Sequence, residues 1–383
     1  MKTLYTNANI YDSDIREFIL GELCVEDGYI SYIAGGLFAT DHEGVEVVDL
    51  EGAYLVPGLV DVHSHGRAFG DFVAADEDRL GEMIKSYVTS GVTSVMPTLA
   101  TAPMDAIFSA IDRICDYDGD HASAIIGIHL EGRYLNPKFK GAHAEWLLAN
   151  PDAREIAELV RKMNGAGHAH VSAALELDED GEFLRAALDN GATVGIAHTG
   201  ANYEQAKSAF ENGAISLTHT FNAMTPLHHR DGGVIAAALN DDEVYCELIA
   251  DGFHIAPQVV RLLYNVKGDR TVLITDSMEA TGCPDGEYSI AGLPVTVKDG
   301  KARTHEGAIA GSTLSLIDGV KNLSAFADIS FEDALYCATA SPAMMMGVYE
   351  SVGSLDVGKR ANMLVLDENF DVKSVILDGN KVK

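Results

Sequence analysis

The chain has few cysteines, and their spacing follows no known framework. They are odd in number, widely scattered and without a CxxC pair: Cys24, Cys115, Cys246, Cys283 and Cys337. This spacing argues against a disulfide scaffold and against a thiolate zinc site. It is typical of a reducing compartment, so we expect a cytoplasmic protein.

Long apolar runs are also missing. No run reaches the ~18 residues that a transmembrane helix needs. The N-terminal segment MKTLYTNANIYDSD lacks the apolar core of a signal peptide. We therefore expect neither a membrane segment nor a secretion signal.

Positive charge is scarce. The chain has 27 Lys and Arg against 58 Asp and Glu, which gives a formal net charge of −31. Such a surface repels the phosphates of nucleic acids and anionic membranes, so neither is expected as a partner. It repels an anionic metabolite as well. A phosphorylated substrate would therefore need a local cluster of Arg and His side chains.

The sequence does contain a regular alternation of short β-branched runs and amphipathic stretches. Helical patterns cover residues 77–90, 153–164, 181–190 and 203–211. Alternation of strand and helix predicts a parallel sheet, and eight strands without a ninth candidate predict an α/β fold of the (β/α)8 barrel type. The predicted strands are 59–63, 94–97, 124–130, 171–175, 193–197, 215–218, 245–249 and 272–275.

Both ends of the chain show a different pattern. Residues 1–56 and the tail after about residue 350 alternate and contain turn signals, which is typical of antiparallel hairpins. Neither end is long enough for a good core alone. We predict one small β-sandwich domain built from residues 1–56 and 347–383, with the barrel inserted as residues 57–346.

Metal-ligand types of side chain follow five of the eight predicted strands. The strand ends read DVHSH (61–65), HLEG (129–132), AHT (197–199), THT (218–220) and TDS (275–277). Active sites of (β/α)8 barrels lie at the C-terminal ends of the strands. We therefore expect these side chains to converge on one place.

The residue types indicate a catalytic metal site. Imidazole and carboxylate without thiolate suit Zn, Fe or Mn, and three protein ligands with an open position are the catalytic arrangement. Glu131, His198 and His219 supply these three ligands. Asp276 is then left as the base.

The remaining histidines of the strands are read in two ways. In a strand, His63 and His65 face the same side, so they either bind a second metal or hydrogen-bond the substrate; we favour the second metal. For His129, His168 and His170 we expect hydrogen-bonded structural roles.

Several motifs resemble the amidohydrolase superfamily and, within it, the N-acetylglucosamine-6-phosphate deacetylase family. The resemblance runs nearly end to end and includes the terminal stretch GSLDVGKRAN (353–362). The motifs are PGLVDVHSHG (57–66), HLEG (129–132), KGAH (140–143), AHTGAN (197–202), THTFNAMTPLHHR (218–230), IADGFH (249–254), TDSMEATG (275–282) and IAGSTL (309–314).

The resemblance implies an enzyme that hydrolyses the acetamide of N-acetylglucosamine 6-phosphate to glucosamine 6-phosphate and acetate. It implies one Zn²⁺ or Fe²⁺ per subunit, or two, and a homodimer. By the resemblance, Glu131, His198 and His219 match metal ligands. Asp276 matches the catalytic aspartate, and His143 matches a histidine that contacts the sugar and the acetyl carbonyl.

Further matches concern the substrate. The resemblance implies that Asn222 and Ala223 lie near the phosphate and that the loop of Ile309 lies over the substrate. It also implies that Arg230 and His254 reach the phosphate from the neighbouring subunit.

Departures from the family pattern leave alternatives open. Arg67 interrupts a stretch that is usually glycine-rich, Arg133 replaces a usual proline, and 231–233 reads Asp-Gly-Gly where acidic-Pro-Gly is usual. Another N-acetylated amino sugar, such as N-acetylgalactosamine 6-phosphate, therefore remains open as the substrate. So does a different amidohydrolase acting on a small amide, although the strand-four lysine that many of these carry is missing from residues 170–176. A non-enzymatic barrel would be expected to lose a ligand or the aspartate, and this chain keeps them all.

Overall fold

The structure is a computed structural model that describes residues 2–36 and 44–383. Its strands, in chain order, are β1 (Lys2–Asp12), β2 (Glu17–Glu26), β3 (Tyr29–Gly35), β4 (Glu46–Asp49), β5 (Tyr54–Pro57), β6 (Leu59–Ser64), β7 (Gly66–Arg67), β8 (Gly70–Asp71), β9 (Val92–Ala100), β10 (Gly127–Glu131), β11 (His168–Ala173), β12 (Ala192–Ile196), β13 (Ser216–Leu217), β14 (Tyr245–Leu248), β15 (Thr271–Leu273), β16 (Gly286–Ile290), β17 (Leu293–Lys298), β18 (Lys301–Thr304), β19 (Met363–Leu366), β20 (Val372–Leu377) and β21 (Asn380–Lys381).

The helices agree with the sequence pattern to within one residue at the four stretches that were predicted. None of the helices in the described ranges is both long and apolar enough to cross a bilayer. In chain order they are α1 (Glu77–Thr89), α2 (Met104–Asp116), α3 (Ala153–Met163), α4 (Glu182–Asp189), α5 (Tyr203–Glu211), α6 (Gly233–Leu239), α7 (Pro257–Lys267), α8 (Leu316–Ala327), α9 (Phe331–Tyr336) and α10 (Ala340–Met345).

The centre of the molecule is a parallel sheet of eight strands. Its order β6-β9-β10-β11-β12-β13-β14-β15 follows the chain. The first and last strands meet beyond the end of β15, where Ser64 pairs in parallel with Ser277. There the Asp276 N–H donates to the His63 carbonyl at 2.9 Å, and the His65 N–H donates to the Ser277 carbonyl at 2.8 Å. The predicted (β/α)8 barrel is confirmed.

Helix α3 shows how an amphipathic helix packs on the barrel through one apolar face. In α3, the buried side chains are Ile156, Leu159, Val160 and Met163, spaced three and four residues apart. Burying a side chain of this kind contributes about 1.5–3 kcal/mol. The opposite face carries the charges, so the periodicity of the sequence sets which side of the helix packs on the barrel.

Several strand boundaries differ from the prediction, three of them by three residues. The second barrel strand ends at Ala100 rather than at residue 97. The third barrel strand begins at Gly127, because residues Ala122–Ala124 form a short 3-10 turn and pairing with His168 starts only there. A Cβ atom at Gly127 would lie 2.0 Å from the His168 carbonyl oxygen, so a glycine is needed at this contact. The fourth strand spans His168–Ala173 rather than 171–175, which places His168 and His170 inside it.

The two ends of the chain form one mostly antiparallel sheet. β1 pairs with β2 antiparallel and with β4 and β5 in parallel, and β19 from the C-terminal end pairs antiparallel with β5. Side chains from both ends share one core, including Ile10, Leu23, Leu55, Met363 and Ile376. The small β domain built from both termini is therefore confirmed, while its boundaries at 56/57 and 346/347 stay predictions.

Candidate active site

The C-terminal ends of the barrel strands surround a cavity of about 400 Å³. Ten of the residues singled out from the sequence line it: His65, Glu131, His143, His198, His219, Asn222, Ala223, His254, Asp276 and Ile309. His63 is fully buried behind this lining. Arg230 is exposed and is not among the lining residues.

One cluster in the floor consists of Glu131, His198 and His219, and we call it the Glu131 cluster. The Glu131 Oε1 atom lies 3.2 Å from His198 Nε2 and 2.9 Å from His219 Nε2. The His198 Nδ1 atom is 2.7 Å from the Phe139 carbonyl, which can only accept a hydrogen bond. In the neutral ring, Nε2 of His198 therefore has its lone pair toward the cluster. A carboxylate oxygen and imidazole nitrogens within 4.8 Å of one another fit a divalent metal.

A second cluster adjoins the first and consists of His63, His65 and Asp276; we call it the HxH cluster. The Asp276 Oδ1 atom is 3.3 Å from His65 Nε2 and 3.7 Å from His63 Nε2. Glu131 Oε2 is 3.0 Å from His65 Nε2 and 3.4 Å from His63 Nε2. Glu131 therefore lies between the clusters, with one carboxylate oxygen facing each.

The charges of the floor stabilise one another. Burial opposes ionisation of Glu131, but His63, His198 and His219 outweigh it and hold the Glu131 pKa well below its usual range. Burial also opposes ionisation of Asp276, and its hydrogen bond with His65 more than compensates, so the Asp276 pKa is lowered. Both carboxylates are thus charged at neutral pH.

Backbone strain accompanies three of these residues. His198, His219 and Asp276 adopt φ angles of 44°, 29° and 47°, in the left-handed region that side chains other than glycine rarely occupy. Each lies just after a barrel strand. Such strain costs of order 1–3 kcal/mol and is concentrated at functional sites, where the surrounding structure maintains it.

His143 is prepared as a hydrogen-bond donor. Burial, followed by the charge of His198, lowers the His143 pKa to about 3, so the ring is neutral. Its Nδ1 atom accepts the backbone N–H of Thr101 at 3.4 Å and lies 2.8 Å from Thr101 Oγ1. The ring hydrogen therefore sits on Nε2. Thr101 carries no motif and was not found from the sequence.

Glu247 is a second functional candidate that the sequence analysis missed. It lies on β14, is fully buried, and its Oε2 atom is 2.9 Å from His63 Nδ1. The signal was present in the sequence, because a glutamate interrupts the apolar run 245–249. An unpaired charge inside a barrel strand is costly, so a glutamate at this position predicts a buried side chain that pairs with it.

The mouth of the cavity is built differently from its floor. Lys138 lines it and is exposed. His254 reaches the cavity of its own chain, with its Nδ1 atom 2.6 Å from Asp251 Oδ2. Arg230 points elsewhere, with Nη1 2.7 Å from His229 Nε2. Of the predicted pair, only Arg230 would therefore need a partner subunit to reach a phosphate.

The two unexpected arginines do not line the cavity. Arg67 is buried and donates to Ser86 Oγ at 3.0 Å and to Ser90 Oγ at 2.9 Å. Arg133 Nε lies 3.3 Å from Glu155 Oε1. Neither residue is placed to bind the anion of a substrate in this cavity.

The three histidines expected to be structural make hydrogen bonds in the barrel. His129 Nε2 is 2.8 Å from Ser172 Oγ, and its Nδ1 is 3.1 Å from the Val62 carbonyl. His168 and His170 both contact the Thr193 hydroxyl, at 3.1 and 2.8 Å.

Comparison with known proteins agrees with this geometry. The sequence model of the amidohydrolase family matches residues 54–382. N-acetylglucosamine-6-phosphate deacetylase of Vibrio furnissii is 36% identical over 86% of this chain and 82% of its own. N-acetylgalactosamine-6-phosphate deacetylase of Escherichia coli O157:H7 is 35% identical over 95% of this chain and 97% of its own. A solved structure of a mutant N-acetyl-D-glucosamine-6-phosphate deacetylase from Mycobacterium smegmatis, in complex with N-acetyl-D-glucosamine-6-phosphate, superimposes with a TM-score of 0.91. It is 30% identical and covers 100% of this chain and 99% of that one.

The chain belongs to the amidohydrolase family and, within it, to the N-acetylglucosamine-6-phosphate deacetylases. Members of this superfamily depend on metal, and among the residues that the structure describes the two clusters are the groups that could hold one.

Proposed function

We propose that the protein hydrolyses the acetamide of N-acetylglucosamine 6-phosphate, giving glucosamine 6-phosphate and acetate. The observation that carries this proposal is the floor of the cavity. There, two ionised carboxylates, Glu131 and Asp276, lie among four histidines at the C-terminal ends of the barrel strands. Family membership supports the same reaction.

In this proposal, the Glu131 cluster holds one Zn²⁺ or Fe²⁺, and His63 and His65 hold a second. A divalent cation supplies Lewis-acid chemistry, since it polarises a carbonyl and lowers the pKa of water towards 7. The Glu131 carboxylate offers one oxygen to each cluster. Burial opposes protonation of His63, His65 and His219, but the neighbouring carboxylates outweigh it and raise the pKa of each, so these rings would release their protons when a metal binds. The Glu131 charge and the neutral imidazoles would then form the donor set that these metals prefer.

Asp276 moves the proton. As a carboxylate in the floor of the cavity, it accepts a proton from the attacking water and then delivers it to the departing nitrogen. The second transfer is needed because an amide anion is a poor leaving group. The low pKa of Asp276 keeps it in the form that accepts the proton.

His143 stabilises the developing oxyanion. Its Nε2–H donates to the acetyl carbonyl oxygen, and the bond strengthens as negative charge builds up there. Thr101 holds the ring in the tautomer that makes this donation. A neutral ring suits this task, because at neutral pH it donates a hydrogen bond and does not act as an acid.

The phosphate is bound at the mouth. In the proposal, Asn222, Ala223 and His254 contribute from the same chain, while Arg230 enters from the second subunit of a homodimer, and the loop of Ile309 covers the sugar. A bidentate guanidinium is the group best suited to a phosphate.

We also propose a cytoplasmic location. The scattered cysteines, which form no CxxC pair, support it.

N-acetylgalactosamine 6-phosphate is the second candidate substrate. The relative named for it is 35% identical over 95% of this chain, and the glucosamine relative of Vibrio furnissii is 36% identical over 86%. The two sugars differ only in the orientation of one hydroxyl group. A different small amide is a more distant alternative.

An acetate-release screen tests the proposal. N-acetylglucosamine, N-acetylgalactosamine and N-acetylmannosamine are compared with and without 6-phosphate, and the metal content is measured by elemental analysis. We expect the fastest release from N-acetylglucosamine 6-phosphate, and release slower by roughly 10²–10⁴ from the Asp276→Asn protein. Metal-loaded protein that releases acetate from none of these sugars would contradict the proposal.

A further inference from the structure

Glu247 is a charged residue in a place where a charge is costly. Its side chain is fully buried on β14, inside the barrel. In the described ranges, no Lys or Arg forms an ion pair with it; its one ion-pair partner there is His63. Its Oε2 atom also accepts the backbone N–H of His219 at 3.2 Å. This single oxygen therefore contacts one residue from each cluster.

The contact determines which nitrogen of His63 faces the cavity. A carboxylate only accepts hydrogen bonds, so the His63 Nδ1 atom, 2.9 Å away, must carry the hydrogen. In the neutral ring, the lone pair is then on Nε2. This Nε2 atom is buried, has no hydrogen-bond partner in the described part of the chain, and faces Glu131 Oε2 at 3.4 Å.

We propose that Glu247 is the positioning residue that makes His63 a metal ligand and thereby creates the second metal site. Carboxylate–histidine–metal arrangements of this kind fix the tautomer and orientation of the ring and raise its basicity. The inference rests on the metal assignment of the proposed function. It adds a reason why this chain has a binding site at the HxH cluster in addition to the Glu131 cluster.

The competing reading is a purely structural ion pair between Glu247 and a protonated His63. That pair would stabilise the barrel and would have no effect on the number of metal ions bound. Metal stoichiometry therefore separates the two readings, and a measurement of stability alone does not.

The test is equilibrium dialysis of chelator-stripped protein against Zn²⁺, with bound zinc counted by elemental analysis. We expect two ions per chain in the wild type. Glu247→Leu removes the acceptor, so the weaker ion should lose about 10- to 100-fold in affinity, while the tighter ion stays. Glu247→Gln keeps an acceptor oxygen without the charge, so its loss should be smaller but measurable. The Glu247→Gln variant also serves as the test if the Glu247→Leu variant does not fold.

Glu22→Gln is the matched control, because Glu22 is a buried glutamate in the terminal sheet, on β2. It should bind both ions with wild-type affinity. Three results would overturn the inference: one zinc ion in the wild type, an unchanged second ion in the Glu247 variants, or equal weakening of both ions. Acetate release is measured separately. A wild type that binds two ions but releases no acetate would reject the proposed function and leave the role of Glu247 intact.

Discussion

The floor and the mouth of the cavity are organised in opposite ways. In the floor, Glu131 and its histidines are buried, lie within hydrogen-bond distance of one another and come from one chain. At the mouth, Lys138 is exposed, and Arg230, which does not line the cavity, contacts His229. Within the chain, the floor is thus preorganised for hydrolysis, whereas the cavity offers an anion His254 and the exposed Lys138.

Solvent explains why this difference matters for function. Charges in the buried floor interact through a medium of low polarity, whereas exposed charges are screened and contribute little in pairs. Changes in the floor should therefore act strongly on turnover or metal content. Changes at the mouth should act on KM for phosphorylated substrates, and the effect should be large only if a partner subunit buries the contact.

The largest effect should come from Glu131, because it serves both clusters. Glu131→Ala should lose bound metal and lower kcat by ~10⁴ or more, since an open site loses one of its few anchors. His63→Ala should lose less metal and less activity. Elemental analysis and acetate release measure both. If His63→Ala empties the protein while Glu131→Ala leaves it full, the roles of the two clusters are reversed.

Asp276→Asn should have the second largest effect. The amide keeps the shape but neither accepts nor delivers the proton, so kcat should fall by roughly 10²–10⁴ while the Glu131 cluster keeps its metal. Asp112→Asn, a change in a surface ion pair with Lys162, is the control and should leave turnover unchanged. A turnover of one third of wild type in the Asp276 variant would remove this residue from the mechanism.

Arg230→Ala tests whether this arginine binds the phosphate of the substrate. If a partner subunit buries this arginine against the phosphate, its loss should cost ~2–4 kcal/mol, or roughly 30- to 700-fold in KM. Slow turnover of the unphosphorylated sugar should hardly change, because that sugar never uses the contact. Equal losses on both substrates would contradict the assignment.

Mixed dimers show whether Arg230 acts across subunits. Arg230→Ala chains are combined with Asp276→Asn chains. If Arg230 acts in trans, one site of each mixed dimer has both defects and the other has neither, so activity partly returns. If it acts within its own chain, every site has one defect and activity stays low. An active monomer would also rule out the trans role.

The smallest effect should be that of Lys138. Its exposed charge should contribute no more than ~1 kcal/mol, so Lys138→Ala should raise KM for the phosphorylated sugar by about 5-fold or less. The effect should fade as salt is added, because screening weakens exposed charges. Lys373→Ala, on the terminal sheet, is the control and should leave KM unchanged.

The barrel and most of the floor could be predicted from the amino-acid sequence. The periods of strands and helices are local properties, and a histidine or carboxylate directly after a parallel strand must lie at the C-terminal edge of the sheet. His198, His219 and Asp276 could therefore be placed from their positions alone. The pattern of both termini likewise predicted the shared sheet, since neither end could bury a core alone.

The contacts between distant segments could not be predicted and depend on the tertiary structure. Thr101 orients His143 across 42 residues, and Glu247 meets His63 across 184 residues. No local pattern encodes such pairs, because they depend on which strands become neighbours. The same holds for Arg67 and Arg133, whose polar partners engage them away from the cavity. The left-handed backbone at His198 was equally invisible, because the packing around it, and not its own preference, maintains the strained conformation.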